Sequence, residues 1–430
     1  MKRSLIISLM LLMSIVAGAS ELTDKMAAIP AISGVKELKS TEFKEKYEIM
    51  FNHPVDRNVA SAGRFDQRVY VFHRGFDRPT IVVTEGYGAT YAANERYCEE
   101  LSRYFDTNII FCEYRYFLES TPKPCNWDYL TVDNSLWDLH EVVTAFKTIY
   151  PGKWISTGVS KGGQTTMFYR SYYPDDVDIS VPYVAPLNKS LEDGRHEPFI
   201  AKKVATPEAR QKVLDYQIGL FKRKAEILPY FEQSCKEKGY TFRAPVEDIF
   251  DYWILEFSFA YWQWGTKMED LPSVTQTGAK ELCDAMFSYN DPSYFQSDTY
   301  YKSFNVQAAR ELGYYGYDIK PFKKYMSVKS TKDYMRRLML PASLENIKFD
   351  KTLYKHVVKF LKENDPKMLY IYGEYDPWSA TGVCQWLDTS KKKNLKIYVQ
   401  PGGSHSSRIG NMPESIREEI LATIGAWLAE

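Results

Sequence analysis

Short apolar runs bounded by polar and turn-forming residues recur along the chain. Those predicted to be buried strands lie at residues 80–84, 108–112, 154–157, 178–185, 368–373 and 395–399. Between them, apolar positions at helical spacing predict helices, most clearly over residues 134–150 and 413–428. Two earlier segments with polar flanks, residues 46–51 and 68–73, are expected to be antiparallel edge strands. Strands that alternate with helices predict an α/β fold with a mostly parallel sheet flanked by helices.

The alternation of strands and helices stops near Pro186. Residues 190–345 are rich in charged and aromatic residues and have the pattern of helices without a clear buried strand. We interpret this segment as a helical cap inserted between the first part of the core, residues 20–189, and the second part, residues 346–430. Its aromatic residues between 252 and 264 would form the core of the cap or line a pocket.

The N-terminal segment, residues 1–19, has the pattern of a secretory signal peptide. Lys2 and Arg3 precede an apolar run over residues 5–16, and small residues follow at 17–19. The apolar run is too short for a stable membrane span. We therefore expect a secreted or periplasmic protein that is not attached to a membrane once this segment is removed.

Composition narrows the classes of function. The 430 residues include 55 Lys and Arg and 55 Asp and Glu, so nothing favours nucleic acid as a partner. The chain has no P-loop and no Cys/His spacing typical of zinc, and we expect no cofactor and no metal. The 6 cysteines are an even number in a chain expected to be exported, which permits disulfides. The candidate pairs are one among Cys98, Cys112 and Cys125 and another of Cys235 with Cys283, and the sequence does not choose among the connectivities.

The sequence Gly-Val-Ser-Lys-Gly-Gly at residues 158–163 carries the strongest chemical signal. It follows a predicted strand and precedes a helix predicted to begin near Gln164. A G-x-S-x-G motif in this setting is a nucleophile elbow, a sharp turn that lifts the hydroxyl of Ser160 above the edge of the sheet. Glycines flank the serine because side chains there would collide with the neighbouring strand and helix. The motif predicts that Ser160 is a nucleophile.

Two residues near the C-terminus complete a catalytic set with this serine. Asp376 and His405 each lie just past the C-terminal end of a predicted strand. The chain order Ser, Asp, His is the one expected for a nucleophile elbow. His405 would take the proton of the serine hydroxyl and give it to the leaving amine, while Asp376 would orient the imidazole. Glu374 and Asp388 are the rival acids.

Such a serine also needs two backbone N–H groups that stabilise an oxyanion. One is expected from Lys161, the residue after the nucleophile. The other is expected from the loop formed by Gly86, Tyr87 and Gly88, which follows the predicted strand at residues 80–84. Glycines in that loop allow the backbone to approach a reacting group closely.

These motifs resemble those of a known family. The matching segments lie at residues 66–70, 84–88, 113–117, 158–163, 307–315, 373–378 and 403–405, in the same order over nearly the whole mature chain. The chain is similar to the secreted prolyl tripeptidyl/tetrapeptidyl aminopeptidases, which are serine peptidases with the α/β-hydrolase fold. It resembles more distantly the family of lysosomal Pro-Xaa carboxypeptidase and dipeptidyl peptidase II. Lys161 favours the first family, because the second usually carries tyrosine at that position.

The resemblance implies an α/β-hydrolase with a helical cap that cleaves peptide substrates with free N-termini. It implies release of N-terminal tri- or tetrapeptides through an acyl-enzyme, with a preference for proline before the cut. Ser160, Asp376 and His405 fall on the triad of that family.

An enzyme of this kind must bind the free α-ammonium group of its substrate, and a carboxylate would do so by charge pairing and hydrogen bonds. The candidate carboxylates are Glu85, Glu113, Glu119 and Glu311. Glu113 is preferred because it ends a predicted core strand, and Glu311 because it lies in a matching segment. Trp378 is expected to form a wall of the pocket for the residue before the cut.

Two other classes of function remain open at this point. An esterase or lipase could use the same triad, although the chain has no HGGG-type oxyanion motif and its cap aromatics are interspersed with charges. A non-enzymatic peptide- or glycan-binding protein would not need a complete triad.

Overall fold

The structure is a computed structural model that describes residues 20–430. The predicted signal segment, residues 1–19, lies outside the described part of the chain. Among residues 20–430, no helix combines the length and the apolar character that a membrane span requires.

Over residues 20–430, one sheet of nine strands forms the centre of the fold. Its strands are β1 Ile32–Glu37, β2 Glu45–Pro54, β3 Arg64–His73, β4 Thr80–Thr84, β5 Asn108–Cys112, β6 Trp154–Val159, β7 Ile179–Tyr183, β8 Met368–Gly373 and β9 Leu395–Gln400. Their order across the sheet is β1-β2-β3-β5-β4-β6-β7-β8-β9. The first three strands and the β3–β5 pair are antiparallel, and the remaining pairs are parallel. Strands β4, β5, β7 and β8 are buried at every position, as expected for a sheet covered on both faces.

The sheet confirms the predicted α/β fold, but the prediction of which strands lie at its edge was wrong. Strands β4, β5 and β8 have the predicted bounds, and the two earlier segments are antiparallel as expected. They are not edge strands, however, because β1 pairs with the outer side of β2. The pattern missed β1 because its residues are mostly exposed and a register shift between Ser33 and Val35 interrupts its alternation.

In the described part of the chain, twelve α-helices connect or cover these strands. They are α1 Glu21–Ala27, α2 Glu100–Phe105, α3 Val132–Phe146, α4 Lys161–Tyr172, α5 His196–Lys202, α6 Pro207–Lys222, α7 Lys224–Glu237, α8 Val246–Trp264, α9 Ala279–Tyr289, α10 Lys302–Gln307, α11 Thr352–Glu363 and α12 Glu414–Ala429. Helices α5 to α10 lie in the segment between β7 and α11, where helices without strands were predicted. The residue limits given to the core and the cap stay a prediction.

Helix α8 forms the centre of the inserted segment. Every residue from Ile249 to Trp262 except Ser258 is buried. The helix packs against α6, α7 and α9 and against the turn after β8. The helix ends at Gly265, whose left-handed φ of 69° suits glycine and stops the helix.

A buried ion pair joins the end of β5 to α3. Arg115 donates from Nε and Nη2 to the two carboxylate oxygens of Asp138, each at 2.7 Å. Its third nitrogen, Nη1, donates to the carbonyl oxygens of Val55 and Tyr129. A planar guanidinium suits this geometry because it satisfies a carboxylate and two carbonyls at once.

The six thiols are all free in the structure. Cys235 and Cys283 are both buried between α7 and α9, and burial raises the pKa of each thiol to about 12. The disulfide pairs that the even count permits are therefore not formed among residues 20–430.

Replacement of Asp138 by alanine is expected to destabilise the fold by about 3–5 kcal/mol, because it leaves the buried guanidinium of Arg115 without its counter-charge. Denaturant unfolding followed by circular dichroism measures the change. The matched control is Asp128→Ala, which removes an exposed carboxylate 3.8 Å from Arg310. This substitution is expected to change the free energy of unfolding by less than about 0.5 kcal/mol. Equal effects of the two substitutions would contradict the importance of the buried pair.

Candidate active site

Ser160 occupies a strained turn between β6 and α4. Its φ of 58° and ψ of −116° lie outside the regions that residues with a side chain ordinarily adopt. Two hydrogen bonds hold it there: its N–H donates to the carbonyl of Tyr183 at 2.9 Å, and its carbonyl accepts the N–H of Gln164 at 2.8 Å. The turn is the geometry expected of a nucleophile elbow, and α4 begins at Lys161, three residues earlier than predicted.

Glycines permit this turn because three elements meet there with no room for side chains. A Cβ on Gly158 would lie 2.5 Å from the carbonyl carbon of Gly162 and 2.9 Å from the oxygen of Thr84. A Cβ on Gly163 would overlap the carbonyl oxygen of Tyr183. The ends of β4 and β7 therefore pack directly against the first turn of α4, as the motif predicts.

Asp376 and His405 come together at the carboxyl ends of β8 and β9. The Nδ1 atom of His405 lies 2.7 Å from Oδ2 of Asp376, and both side chains are buried. The N–H of Trp378 donates to the other carboxylate oxygen at 3.1 Å. A carboxylate at Nδ1 places the imidazole proton on that nitrogen and leaves Nε2 as the acceptor. The backbone N–H of His405 donates to the carbonyl of Gln263 in α8, so the inserted segment also fixes the histidine.

The two rival acids have other partners. The exposed carboxylate of Glu374 accepts the N–H of Gly402 at 2.7 Å, and that of Asp388 accepts the N–H of Ser390 at 2.9 Å. Neither contacts His405, so the geometry favours Asp376.

A cavity of about 1040 Å³ lies above the sheet and has both Ser160 and His405 in its wall. Within residues 20–430, no hydrogen bond joins the serine hydroxyl to the imidazole. Such bonds are often long in unliganded enzymes and shorten when a substrate is bound. The arrangement can support attack by Ser160 on a carbonyl group with His405 as the base.

The backbone donors expected around an oxyanion are only partly available. The N–H of Lys161 is at the first position of α4, where it has no partner within the helix and lies at the positive end of the helix dipole. The N–H of Gly88 donates to the hydroxyl of Tyr300 at 2.8 Å, so the structure does not support Gly88 as a donor. Gly86 and Tyr87 stay candidates, and their N–H groups also help to stabilise the carboxylate of Glu85 at the cavity wall. A Cβ on Gly86 would lie 2.8 Å from the backbone nitrogen of Gly162, which shows how closely this loop approaches α4.

The preferred carboxylates for the substrate amine do not reach the cavity. Glu113 is fully buried and accepts hydrogen bonds from the N–H of Ala89, the hydroxyl of Ser120 and the guanidinium of Arg68. These bonds tie the β4 and β5 loops together and leave the carboxylate no free side.

Glu311 and Glu119 are equally unsuited to bind a substrate. Glu311 accepts the N–H of Val132 at 2.6 Å, which caps the start of α3, and burial raises its pKa to about 7. Glu119 is largely exposed and lies 3.9 Å from Arg68. Neither residue lines the cavity with Ser160.

Two other carboxylates do line it, the half-buried Glu85 and the buried Glu256. Glu85 accepts the hydroxyl of Tyr91 at 2.6 Å, and burial raises its pKa. Glu256 in α8 accepts the hydroxyls of Tyr315 at 2.7 Å and Tyr317 at 2.6 Å, and burial raises its pKa to about 7. Sequence reasoning named the first and missed the second. The available signal was that Glu256 is the sole acidic residue within the apolar stretch at residues 252–264.

Trp378 lines the same cavity, and its role as the wall of a substrate pocket stays a prediction. Its ring meets Phe259, Tyr314 and Tyr315 edge-on, with centroids 5.2–5.4 Å apart. Phe259 and Tyr315 stack on each other at 3.7 Å. The four rings make an aromatic surface next to Glu256, which α8, the segment after α10 and the turn after β8 build jointly.

The order of strands β2 to β9, the serine in the β6–α4 turn and the acid and histidine after β8 and β9 define an α/β-hydrolase. Residues 16–428 match the family model described as PS-10 peptidase S37. The chain therefore belongs to peptidase family S37 and is a serine peptidase.

Individual relatives were found by sequence and by structure. The prolyl tri/tetrapeptidyl aminopeptidase of Streptomyces mobaraensis is 28% identical over 427 residues, which cover 96% of this chain and 86% of that protein. Proline iminopeptidase of Mycobacterium smegmatis is 13% identical, with a TM-score of 0.42 over 92% of this chain and 99% of that one. The peroxisomal α/β-hydrolase Lpx1 of Saccharomyces cerevisiae is 12% identical, with a TM-score of 0.42 over 91% of this chain and 89% of that one.

Proposed function

We propose that this serine peptidase is an aminopeptidase that releases N-terminal tri- or tetrapeptides and accepts proline before the cut. The observation that carries the proposal is the cavity itself, whose wall contains Ser160, the His405 that is bonded to Asp376, and the carboxylates of Glu85 and Glu256. The likeness to a prolyl tri/tetrapeptidyl aminopeptidase supports the same substrate class.

In the proposed mechanism, Nε2 of His405 accepts the proton of the Ser160 hydroxyl as the serine oxygen attacks the carbonyl carbon before the cut. The carbonyl oxygen becomes an oxyanion, which the N–H of Lys161 stabilises with a second N–H from the β4 loop. The imidazolium, held by Asp376, then gives its proton to the leaving amine, and the peptide bond breaks. Water activated by His405 hydrolyses the acyl-enzyme that remains and regenerates the serine.

The walls of the cavity suit two parts of a short N-terminal peptide, its free ammonium group and the side chain before the cut. A substrate ammonium group would pair with the carboxylate of Glu256, whose remaining oxygen lone pairs are not used by Tyr315 and Tyr317. The rings around Trp378 would contact an apolar or proline side chain. Because a buried carboxylate without a cation is costly, the site favours substrates that supply one.

We also propose that the protein acts outside the cytoplasm, on the basis of the signal-peptide pattern at residues 1–19. N-terminal sequencing of the protein from the periplasm or the culture medium is expected to find Ser20 as the first residue. Recovery of the active protein from the cytoplasm with Met1 intact would contradict this proposal.

The central test of the proposed function uses Ala-Ala-Pro-nitroanilide with a free or a succinylated N-terminus. We expect rapid release of nitroaniline from the free form alone, and a loss of at least about 1000-fold in kcat for Ser160→Ala. An unchanged melting temperature of that variant would show that the fold is intact. Equal cleavage of both substrates would indicate an endopeptidase, and turnover of short esters alone would favour the esterase alternative.

Replacement of Glu256 by glutamine is expected to raise KM for the free-amine substrate about 10-fold or more, because a charged hydrogen bond to the ammonium is lost. The matched control is Asp298→Asn, an exposed carboxylate in the wall of the same cavity, which should leave KM nearly unchanged. If Glu85→Gln raised KM in this way and Glu256→Gln did not, the ammonium site would be assigned to Glu85 instead.

The pH profile of kcat/KM gives an independent measurement of the same site. Burial raises the pKa of Glu256 to about 7, so its carboxyl group is neutral below that pH and charged above it. For free-amine substrates, kcat/KM should therefore fall as the pH drops through about 7. The Glu256→Gln variant should lose this component, and any acid limb that persists belongs to other groups. An identical profile in wild type and variant would contradict the assignment.

A further inference from the structure

Lys161, the residue after the nucleophile, places its amino group in the protein interior. The side chain is 2% exposed, and its Nζ atom lies 3.1 Å from the centre of the Tyr114 ring. The rings of Tyr87 and Phe117 lie on other sides, each 5.7 Å away. Among residues 20–430, no carboxylate comes within ion-pair distance of it. Burial lowers the pKa of the ammonium group well below its usual range, and the more distant charges of Glu85 and Glu311 offset this only in part.

The side chain of Lys161 has one hydrogen bond, and that bond reaches the loop expected to supply the second oxyanion donor. Its Nζ donates to the carbonyl oxygen of Gly86 at 2.7 Å. Burying a lysine amino group is costly, and aromatic faces and one carbonyl compensate for it only in part. If position 161 needed only an apolar side chain to fill the space, the protein would be more stable with methionine than with lysine there. The arrangement therefore points to a role for the hydrogen bond itself.

The hydrogen bond fixes the orientation of the peptide group between Gly86 and Tyr87. This peptide is trans, so its carbonyl and its N–H point in opposite directions. With the carbonyl turned to Lys161, the N–H of Tyr87 faces the side where the carboxylate of Glu85 lines the cavity, and it helps to stabilise that carboxylate. The N–H side of the peptide is thus the side presented to an anion.

Two further contacts keep this loop and α4 in register. A Cβ on Gly86 would lie 2.6 Å from the Cβ of Lys161, so the loop backbone rests directly on the lysine stem. The hydroxyl of Thr84 donates to the carbonyl of Gly162 at 3.0 Å. Glycine makes the 86–87 peptide easy to rotate, because no side chain opposes the change in its dihedral angles. A lock on the carbonyl is therefore useful at this position.

We propose that the Lys161 side chain is a positioning residue that holds the Gly86–Tyr87 peptide with its N–H, and not its carbonyl oxygen, towards the oxyanion formed on attack by Ser160. The same residue thus supplies one oxyanion donor from its main chain and orients the second with its side chain. The inference rests on Ser160 being the nucleophile of the proposed function. It does not depend on whether the substrate is a peptide or an ester, because both form the same kind of oxyanion.

The test compares Lys161→Met, which keeps the length and apolar stem but cannot donate, with wild type. We expect kcat for Ala-Ala-Pro-nitroanilide to fall about 100-fold, as when one oxyanion donor is lost. KM and the inhibition constant of the product Ala-Ala-Pro should change by less than about threefold, since neither depends on an oxyanion. Binding of Ala-Ala-boroproline, which forms a tetrahedral adduct on the serine, should weaken by about the same factor as kcat.

Lys46 provides a matched control. It is a second buried lysine, its Nζ donates to the carbonyl of Asn94 at 2.8 Å, and it lies 4.8 Å from the centre of the Phe72 ring. Lys46→Met should leave kcat and the affinity for the boronate within about threefold of wild type, whatever its effect on the melting temperature. If Lys161→Met does not fold, Lys161→Gln replaces it, because glutamine keeps a shorter hydrogen-bond donor. For Lys161→Gln we expect a smaller fall in kcat, again with little change in KM.

Three results would overturn the inference: a kcat within about threefold of wild type, equal losses in kcat and product binding, or boronate affinity that does not follow kcat. A wild-type enzyme that hydrolyses esters but not peptides would refute the proposed peptidase function alone. The Lys161 comparison, repeated on the ester, would still decide the inference.

Discussion

The direct packing of the first turn of α4 on the ends of β4 and β7 is the constraint on which the rest of the site depends. Side chains at Gly158 and Gly163 would each occupy the space of a neighbouring backbone atom. Because those side chains are absent, Ser160 is held at a positive φ with its hydroxyl in the wall of the cavity. The same packing brings the β4 loop against Lys161 and puts the free N–H groups of a helix terminus next to the nucleophile.

The core of the fold could be predicted from local pattern alone. Strands β4, β5 and β8 are continuous apolar runs, since both faces of a parallel sheet are covered, and such runs have clear ends. Strand β1 has an exposed surface and an irregular register, so neither alternation nor a buried run marks it. The chain order of serine, acid and histidine could be predicted because each follows the end of a strand.

The substrate-facing carboxylates could not be predicted in the same way, because the partners that distinguish them are distant in sequence. Glu113 and Glu311 resemble Glu256 as isolated acidic residues near motifs. Arg68, Ser120 and the start of α3 occupy the first two, and these contacts appear only when the chain is folded. Glu256 lies in an apolar stretch that suggests the interior of a cap. Its tyrosine partners follow 59 and 61 residues later in the sequence.

The inserted helices separate the serine from its acid and base along the chain, and α8 also holds the backbone of His405. During synthesis, the ribosome therefore completes the nucleophile strand and the whole insertion before the histidine exists. Contacts between such distant segments form late in folding, because closing a long loop costs entropy before the contacts that compensate for it can form. A nascent or truncated chain would carry a complete serine motif and no means of activating it. The order of the segments would thus delay proteolytic activity until strand β9 and the loop with His405 have been made.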